Sequence, residues 1–277
     1  MTKGSLAGRT LLMSGGSRGI GLAIALRAAR EGANIAFIAK TDTPDPRLPG
    51  TVHTAAAEIE TAGGTALPII GDIRDENAVT HAVTQTVNTF GGIDILINNA
   101  SAIALQGFGD LPLKRYDLML DVNARGTFTL ITAALPHLLH SPDPRVLTLS
   151  PPLNPDPKWL AEHAPYTVSK YAMTMLTLGL AAQHHDNGIT ANCLWPATLI
   201  ATAAVRNIVA GDDGIRASRR PEIMADAAAL LLTQPRTAGN GTCYIDADVL
   251  RAAGITDLTH YTHNGTNEHD LAPDLFV

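Results

Sequence analysis

Thr10-Leu11-Leu12-Met13-Ser14 runs directly into Gly15-Gly16-Ser17-Arg18-Gly19-Ile20-Gly21, and Leu22 to Arg30 continue rich in Ala and Leu. The apolar run reads as a short buried strand, the glycines as a tight turn and the remainder, at helical spacing, as a helix. A strand, a glycine turn and a helix in that order make an anion site. Glycines let a pyrophosphate approach the backbone, and the helix start offers unpaired N–H groups with a partial positive charge. The spacing Gly15-x-x-x-Gly19-x-Gly21 differs from the Gly-x-Gly-x-x-Gly dinucleotide fingerprint. A glycine loop that binds nothing is the competing reading.

Apolar strand candidates then alternate with helical patterns along the chain. Strands are expected at 34–39, 66–70, 93–97, 146–149, 189–194 and 242–245. Helices are expected at 51–62, 75–90 with Asp75 as N-cap, 113–139, around 166 to 185, and 221–232. Repeated βα units with non-alternating strands imply a parallel sheet covered on both faces. The expected fold is therefore α/β, one Rossmann-type doubly wound domain over residues 1–277 with about seven strands. The proline-rich loop from Thr41 to Gly50 (Pro44, Pro46, Pro49) is long for a connection and reads as specialised. Residues 198–214 form the expected substrate lid, and the polar tail 247–277 is expected to wrap the surface or another subunit.

The 277 residues are 45% apolar, enough for a sizeable core, and no run approaches the ~20 apolar residues of a membrane helix. Membrane insertion is not expected. The beginning of the chain lacks a secretion-signal pattern, so a cytoplasmic protein is expected. Cys193 and Cys243 read as buried reduced thiols. A net charge of −6 argues against nucleic acid as the main partner. His260, His263, Glu268 and His269 lack the spacing of a ligand scaffold, and no metal is expected.

Tyr166 and Lys170 lie four residues apart, on one face if their segment is helical. A free Tyr titrates near ~10; an adjacent cation favours the phenolate and moves the group towards working pH. Such pairs also arise by chance on amphipathic helices. Every other candidate follows a strand end, where ligands bind in such sheets: Gly15 to Gly21, Lys40, Asp72, Asn99, Ser150 and Pro196.

Ser14-Gly-Gly-Ser-Arg-Gly-Ile-Gly21, Asn98-Asn-Ala-Ser101, Asn123 and Tyr166-x-x-x-Lys170 resemble, in order and spacing, the motifs of the short-chain dehydrogenase/reductase family. Ala36-Phe-Ile-Ala-Lys-Thr41, Gly91-Gly-Ile-Asp-Ile-Leu96, Asn98-Asn-Ala-Ser-Ala-Ile103 and Ser150-Pro-Pro-Leu-Asn154 resemble its hydroxysteroid dehydrogenase-like branch. Larger members of that branch carry a sterol-carrier-like domain, so this chain is expected to be the reductase module alone.

The resemblance implies that Tyr166 transfers a proton at the substrate oxygen, Lys170 holds the nicotinamide ribose and lowers the tyrosine pKa, and Asn123 anchors a water chain to Lys170. Asn123 also reads as a helix-kink residue. Gly15, Gly16, Ser17, Arg18, Gly19, Ile20 and Gly21 would cradle the cofactor phosphates. Asp72 and Ile73 would flank the adenine, although Asp72 also reads as a turn or capping residue. Asn99 and Ala100 would lie along a ribose, and Pro196 and Thr198 near the carboxamide. Lys40, where an acidic residue would select NAD, and Arg18 point to NADP(H).

Two departures stand out. Pro151 falls in the family's usual serine slot, leaving Ser150 or Asn154 as candidate donors to the substrate oxygen. Pro196-Ala197 replaces the common Pro-Gly. The expected function is an NADP(H)-dependent oxidoreductase acting on a small-molecule, hydrophobic or lipid-like carbonyl or secondary alcohol. The substrate side reads as apolar and poor in aromatics. A catalytically weak, cofactor-binding regulatory protein is the alternative, and a homodimer or homotetramer follows from the resemblance.

Overall fold

The computed structural model describes residues 5–45, 48–263 and 266–277, so Pro46 of the proline-rich loop lies outside the described residues. The strands are β1 (Thr10–Ser14), β2 (Asn34–Ala39), β3 (Thr65–Ile70), β4 (Ile95–Asn98), β5 (Arg145–Thr148), β6 (Thr190–Trp195) and β7 (Cys243–Ile245). They form one sheet in the order β3-β2-β1-β4-β5-β6-β7, and every described pairing is parallel.

The helices are α1 (Gly19–Arg30), α2 (Val52–Thr61), α3 (Glu76–Phe90), α4 (Leu113–Met119), α5 (Gly126–Leu138), α6 (Pro157–Gln183), α7 (Gly211–Arg216), α8 (Glu222–Thr233) and α9 (Asp246–Ala252). One core joins the sheet to α1, α2, α8 and α9, and a second joins its other face to α3, α5 and α6. Helices on both faces explain why β1, β4, β5 and β6 are buried at every residue and show no polar alternation. The strand order reverses between β1 and β4, which opens a crevice at their carboxyl ends. Register pairs Ser14 with both Ile38 and Asn98 and so brings the β1, β2 and β4 loops together.

Two expectations are corrected and a third is refined. The single helix expected over 113–139 contains a π-helical stretch, Leu120–Arg125, between α4 and α5. The polar tail from 247 begins as α9, because Ala247 and Leu250 are buried in the core. Further on, the chain runs over the surface at 251–257 and 267–270, as expected, but turns inward near its end: Phe276 is 1% exposed and packs in one cluster with Tyr166 and Trp195. Among the described residues no helix is long and apolar enough to cross a membrane.

Candidate active site

The glycine loop is packed backbone against backbone. Gly15 and Gly19 have φ of 76° and 56°, the left-handed region that a side chain disfavours. A Cβ on Gly21 would lie 2.4 Å from Gly15 O and 2.5 Å from Asn99 Nδ2, and one on Gly16 would lie 2.8 Å from Phe37 Cβ. Asn99 Nδ2 donates to Ser14 O at 3.1 Å and to Gly15 O at 2.8 Å. The Asn99 and Ala100 amides both donate to Ser14 Oγ at 3.1 Å. Asn99 thus clamps the glycine turn to the β4 loop. No side chain caps α1, whose first residue follows Arg18, so its opening amides remain available to an anion. Ser17 is buried, and Ile20 packs against the core beneath the loop. A cradle this close, with an uncapped helix start, fits a pyrophosphate.

Beside it lies a mixed charge cluster. Lys40 Nζ sits 3.6 Å from Asp72 Oδ2, and Arg74 Nη2 sits 2.7 Å from the same oxygen. Hydrogen bonding from the Arg74 side chain, more than Lys40, holds the Asp72 carboxyl down to about 2. Asp75, not Asp72, caps α3, accepting from Asn77 N. Ile73 is buried against Gly126, whose Cβ would come within 3.0 Å of it. Arg18 turns to the proline-rich loop, donating to Pro49 O and Gly50 O at 3.2 and 2.7 Å. Sequence reasoning missed Arg74, although a cation two residues after Asp72 was a readable signal.

Tyr166 and Lys170 occupy one buried face of α6. Their helix breaks at His163, which has φ −132° and ψ 25°; Pro165 then falls at the start of the second helical segment, where its missing N–H costs little. Lys170 Nζ donates to Leu149 O at 2.6 Å and lies 5.0 Å from the Trp195 ring centroid. Burial pushes the Lys170 ammonium down to about 7, against the attraction of Cys193 and Asp274. The expected acidification of the phenol is corrected: burial, with a smaller push from Asp274, raises the Tyr166 pKa above its ordinary value. Burial is the larger of the two causes.

Asn123, in the π-helical stretch, donates through Nδ2 to Ala102 O at 2.9 Å and Ser169 Oγ at 3.0 Å, and accepts from Ala102 N at 2.7 Å. From within the π-helical stretch it joins the β4 loop to α6. The Ser150 hydroxyl is buried without a partner in good hydrogen-bond geometry, among neighbours that include the Cys193 thiol. Asn154 is spent elsewhere: its Nδ2 donates to Phe276 O and its Oδ1 accepts from Asp156 N, both at 3.1 Å. Pro196 ends β6, the Ala197 amide that follows donates to Asp246 Oδ1 at 2.8 Å, and Thr198 forms a bridge with Pro273.

Sequence reasoning also missed the stretch from Ala272 to Phe276, which packs beside Tyr166. Ala272 O accepts from Leu199 N at 2.9 Å, Asp274 N donates to Ala197 O at 3.2 Å, and Leu275 O accepts from Trp195 Nε1 at 2.8 Å. Asp274 is half-buried, and desolvation raises its carboxyl to about 7. Phe276 lies among Trp159, Tyr166, Tyr171 and Trp195, so the surroundings of Tyr166 are rich in aromatics. Nothing in the local pattern of 272–276 signals a partner some 80 residues away on β6. In 198–214, the stretch expected to form a lid, a π-helical stretch, Val205–Val209, precedes α7. Glu268 of the histidine-rich group pairs with buried Arg219 at 3.0 Å.

A family model described as short chain dehydrogenase matches residues 9–213. The chain is 50% identical over 274 residues to hydroxysteroid dehydrogenase-like protein 2 of Danio rerio, covering 99% of this chain and 65% of that protein. The human protein of that name is 46% identical, with 99% and 64% covered, so the chain spans a little under two thirds of these relatives' length. A solved Xanthomonas campestris structure superposes with a TM-score of 0.93 at 53% identity over 98% of each chain. A short chain dehydrogenase of Mycobacterium thermoresistibile superposes at 0.91 with 51% identity, over 98% of this chain and 96% of that one. With the doubly wound sheet, the glycine cradle and the buried Tyr166–Lys170 face, these likenesses agree: the chain belongs to the short-chain dehydrogenase/reductase family of oxidoreductases, in its hydroxysteroid dehydrogenase-like branch.

Proposed function

We propose that residues 1–277 act as one NADP(H)-dependent oxidoreductase unit, interconverting a carbonyl and a secondary alcohol on an apolar small molecule. The observation that carries this reading is the buried α6 face, where an amine bonded to Leu149 O just past β5 and a phenol clustered with Trp195 at the end of β6 lie at the carboxyl end of the same sheet as the glycine cradle. When bound, the nicotinamide supplies or accepts the hydride. Gly15 to Gly21 and the open start of α1 would hold its phosphates, Asn99 and Ala100 keeping that loop in shape.

Tyr166 moves the proton at the substrate oxygen. Its phenol is held un-ionised by burial, a state suited to donating towards a carbonyl. Lys170, near neutrality in its own titration, gains or loses a proton at little cost and supports that transfer. Asn123 positions α6 against the β4 loop. Ser150 is the donor offered to the substrate oxygen at the end of β5, where an unpartnered buried hydroxyl gains from an acceptor. The phosphorylated cofactor is favoured by local charge: Lys40 and Arg74 flank the carboxylate of Asp72, and Arg18 lies in the glycine loop against Pro49 and Gly50.

A homodimer is supported by an apolar face where Ala124, Phe128, Ala172, Met175 and Leu176 meet, with Phe128 55% and Met175 57% exposed. The unpaired thiols of Cys193 and Cys243 accord with a cytoplasmic setting. A non-catalytic, NADPH-binding regulator is the second reading; it is favoured by Pro151 in the usual serine slot and by the closed position of Tyr166.

Oxidation of NADPH against a panel of ketones, aldehydes and acyl-thioesters separates the two readings. Turnover on at least one carbonyl is expected. NADPH binding with no oxidation across the panel favours the regulator.

A further inference from the structure

Tyr166 is 4% exposed, so a substrate oxygen reaches its phenol only if something moves. The ring stacked on it is Phe276, 6.2 Å between centroids with planes 25° apart. Phe276 also lies 5.3 Å from Tyr171, 5.5 Å from Trp159 and 6.0 Å from Trp195. The surrounding four rings belong to rigid elements, three to α6 and one to β6. Phe276 belongs to a short strap held by scattered main-chain hydrogen bonds. Among the described residues it is the one non-glycine residue with positive φ, at 73°, a conformation that a bulky side chain adopts only when its surroundings impose it. The indole N–H of Trp159 is buried beside it without an acceptor, because a phenyl ring offers none where a ligand oxygen would.

Building on the oxidoreductase reading, we propose that the space filled by the Phe276 ring is the substrate site. It is an aromatic box walled by Trp159, Tyr166, Tyr171 and Trp195 that takes a carbonyl compound bearing a flat apolar ring. Phe276 is its internal stand-in and leaves when such a ligand enters. A pocket that is mostly self-occupied binds more weakly than it would if open, in proportion to the open fraction. Ring-bearing ligands recover the stacking that Phe276 gives up, and short aliphatic ketones do not.

Both tryptophans of the chain line the box, so intrinsic fluorescence reports on it directly. The full chain and its Phe276→Ala variant are titrated with 4-phenyl-2-butanone, with 2-butanone as the aliphatic control. The variant is expected to bind the aryl ketone about tenfold tighter than the parent, and neither protein to respond to 2-butanone at the same concentrations. Equal or weaker binding by the variant makes Phe276 a permanent wall and overturns the proposal. If Phe276→Ala does not fold, Phe276→Leu carries the test: tighter binding than the parent is required, and parental or weaker binding overturns it. The titration needs no turnover. Tight aryl-ketone binding without NADPH oxidation would sink the oxidoreductase reading and keep the box; turnover with an aryl-ketone KM unchanged in Phe276→Ala would do the reverse.

Discussion

The two ends of the crevice are built in opposite ways. At the β1–β4 end, atoms are fixed by contact: a Cβ on Gly21 would fall 2.4 Å from a backbone oxygen, and Asn99 spends its amide holding the loop. At the α6–β6 end, Tyr166, Lys170 and Asp274 are perturbed by burial, and the covering ring comes from a strap. The first end is preorganised for one constant ligand. The second holds its titratable groups under cover, and burial sets their protonation.

The largest effect is expected from breaking the rigid end. Gly21→Ala forces a methyl group onto Gly15 O and Asn99, so NADPH affinity should fall more than about a hundredfold and stability by about 1–3 kcal/mol. Calorimetric titration and thermal unfolding check both; parental affinity would mean that the loop is looser than its contacts imply.

At the covered end, pH is the probe. Asp274 is raised from 3.8 to about 7, so between those values the folded chain binds more protons than the unfolded one, and stability falls as pH rises. Asp246, raised from 3.8 to about 6 mainly by burial, acts in the same direction. Lys170, lowered from 10.5 to about 7, acts oppositely and only above neutrality, where stability rises with pH. Asp274→Asn should remove at most about 4 kcal/mol of the decline between pH 4 and 7, and less to the extent that the half-buried carboxyl meets water. Denaturant midpoints across that window measure it, and an unchanged slope would place the carboxyl in solvent.

The smallest effect belongs to the exposed charges between the two ends. Lys40→Ala should weaken NADPH about tenfold and leave NADH unchanged, since only the former carries a 2′-phosphate. Equal weakening of both nucleotides would remove Lys40 from the selection of NADP.

The same contrast decided what was legible in the sequence. Alternating buried strands and helices were readable because parallel strands covered on both faces leave a one-letter signature, as in Ile35 to Ala39. The glycine cradle was readable because its constraint is local, within seven residues. The Tyr166–Lys170 face was readable from helical spacing. Asn154 lies four residues after Ser150, yet its engagement with Phe276 spans 122 residues and was not readable. The direction of the Tyr166 shift was not readable either, because desolvation depends on what covers the ring. The Asp246 carboxylate at the start of α9 accepts from Ala197 N, a bond no periodicity reveals.

The central claim is that Tyr166 carries the proton while the glycine cradle independently holds the nucleotide. Tyr166→Phe removes one oxygen from a fully packed ring, so turnover with the best carbonyl of the panel should fall at least about a thousandfold while the NADPH dissociation constant stays within about twofold of the parent. Turnover at the parental rate by the Tyr166→Phe variant would contradict the account.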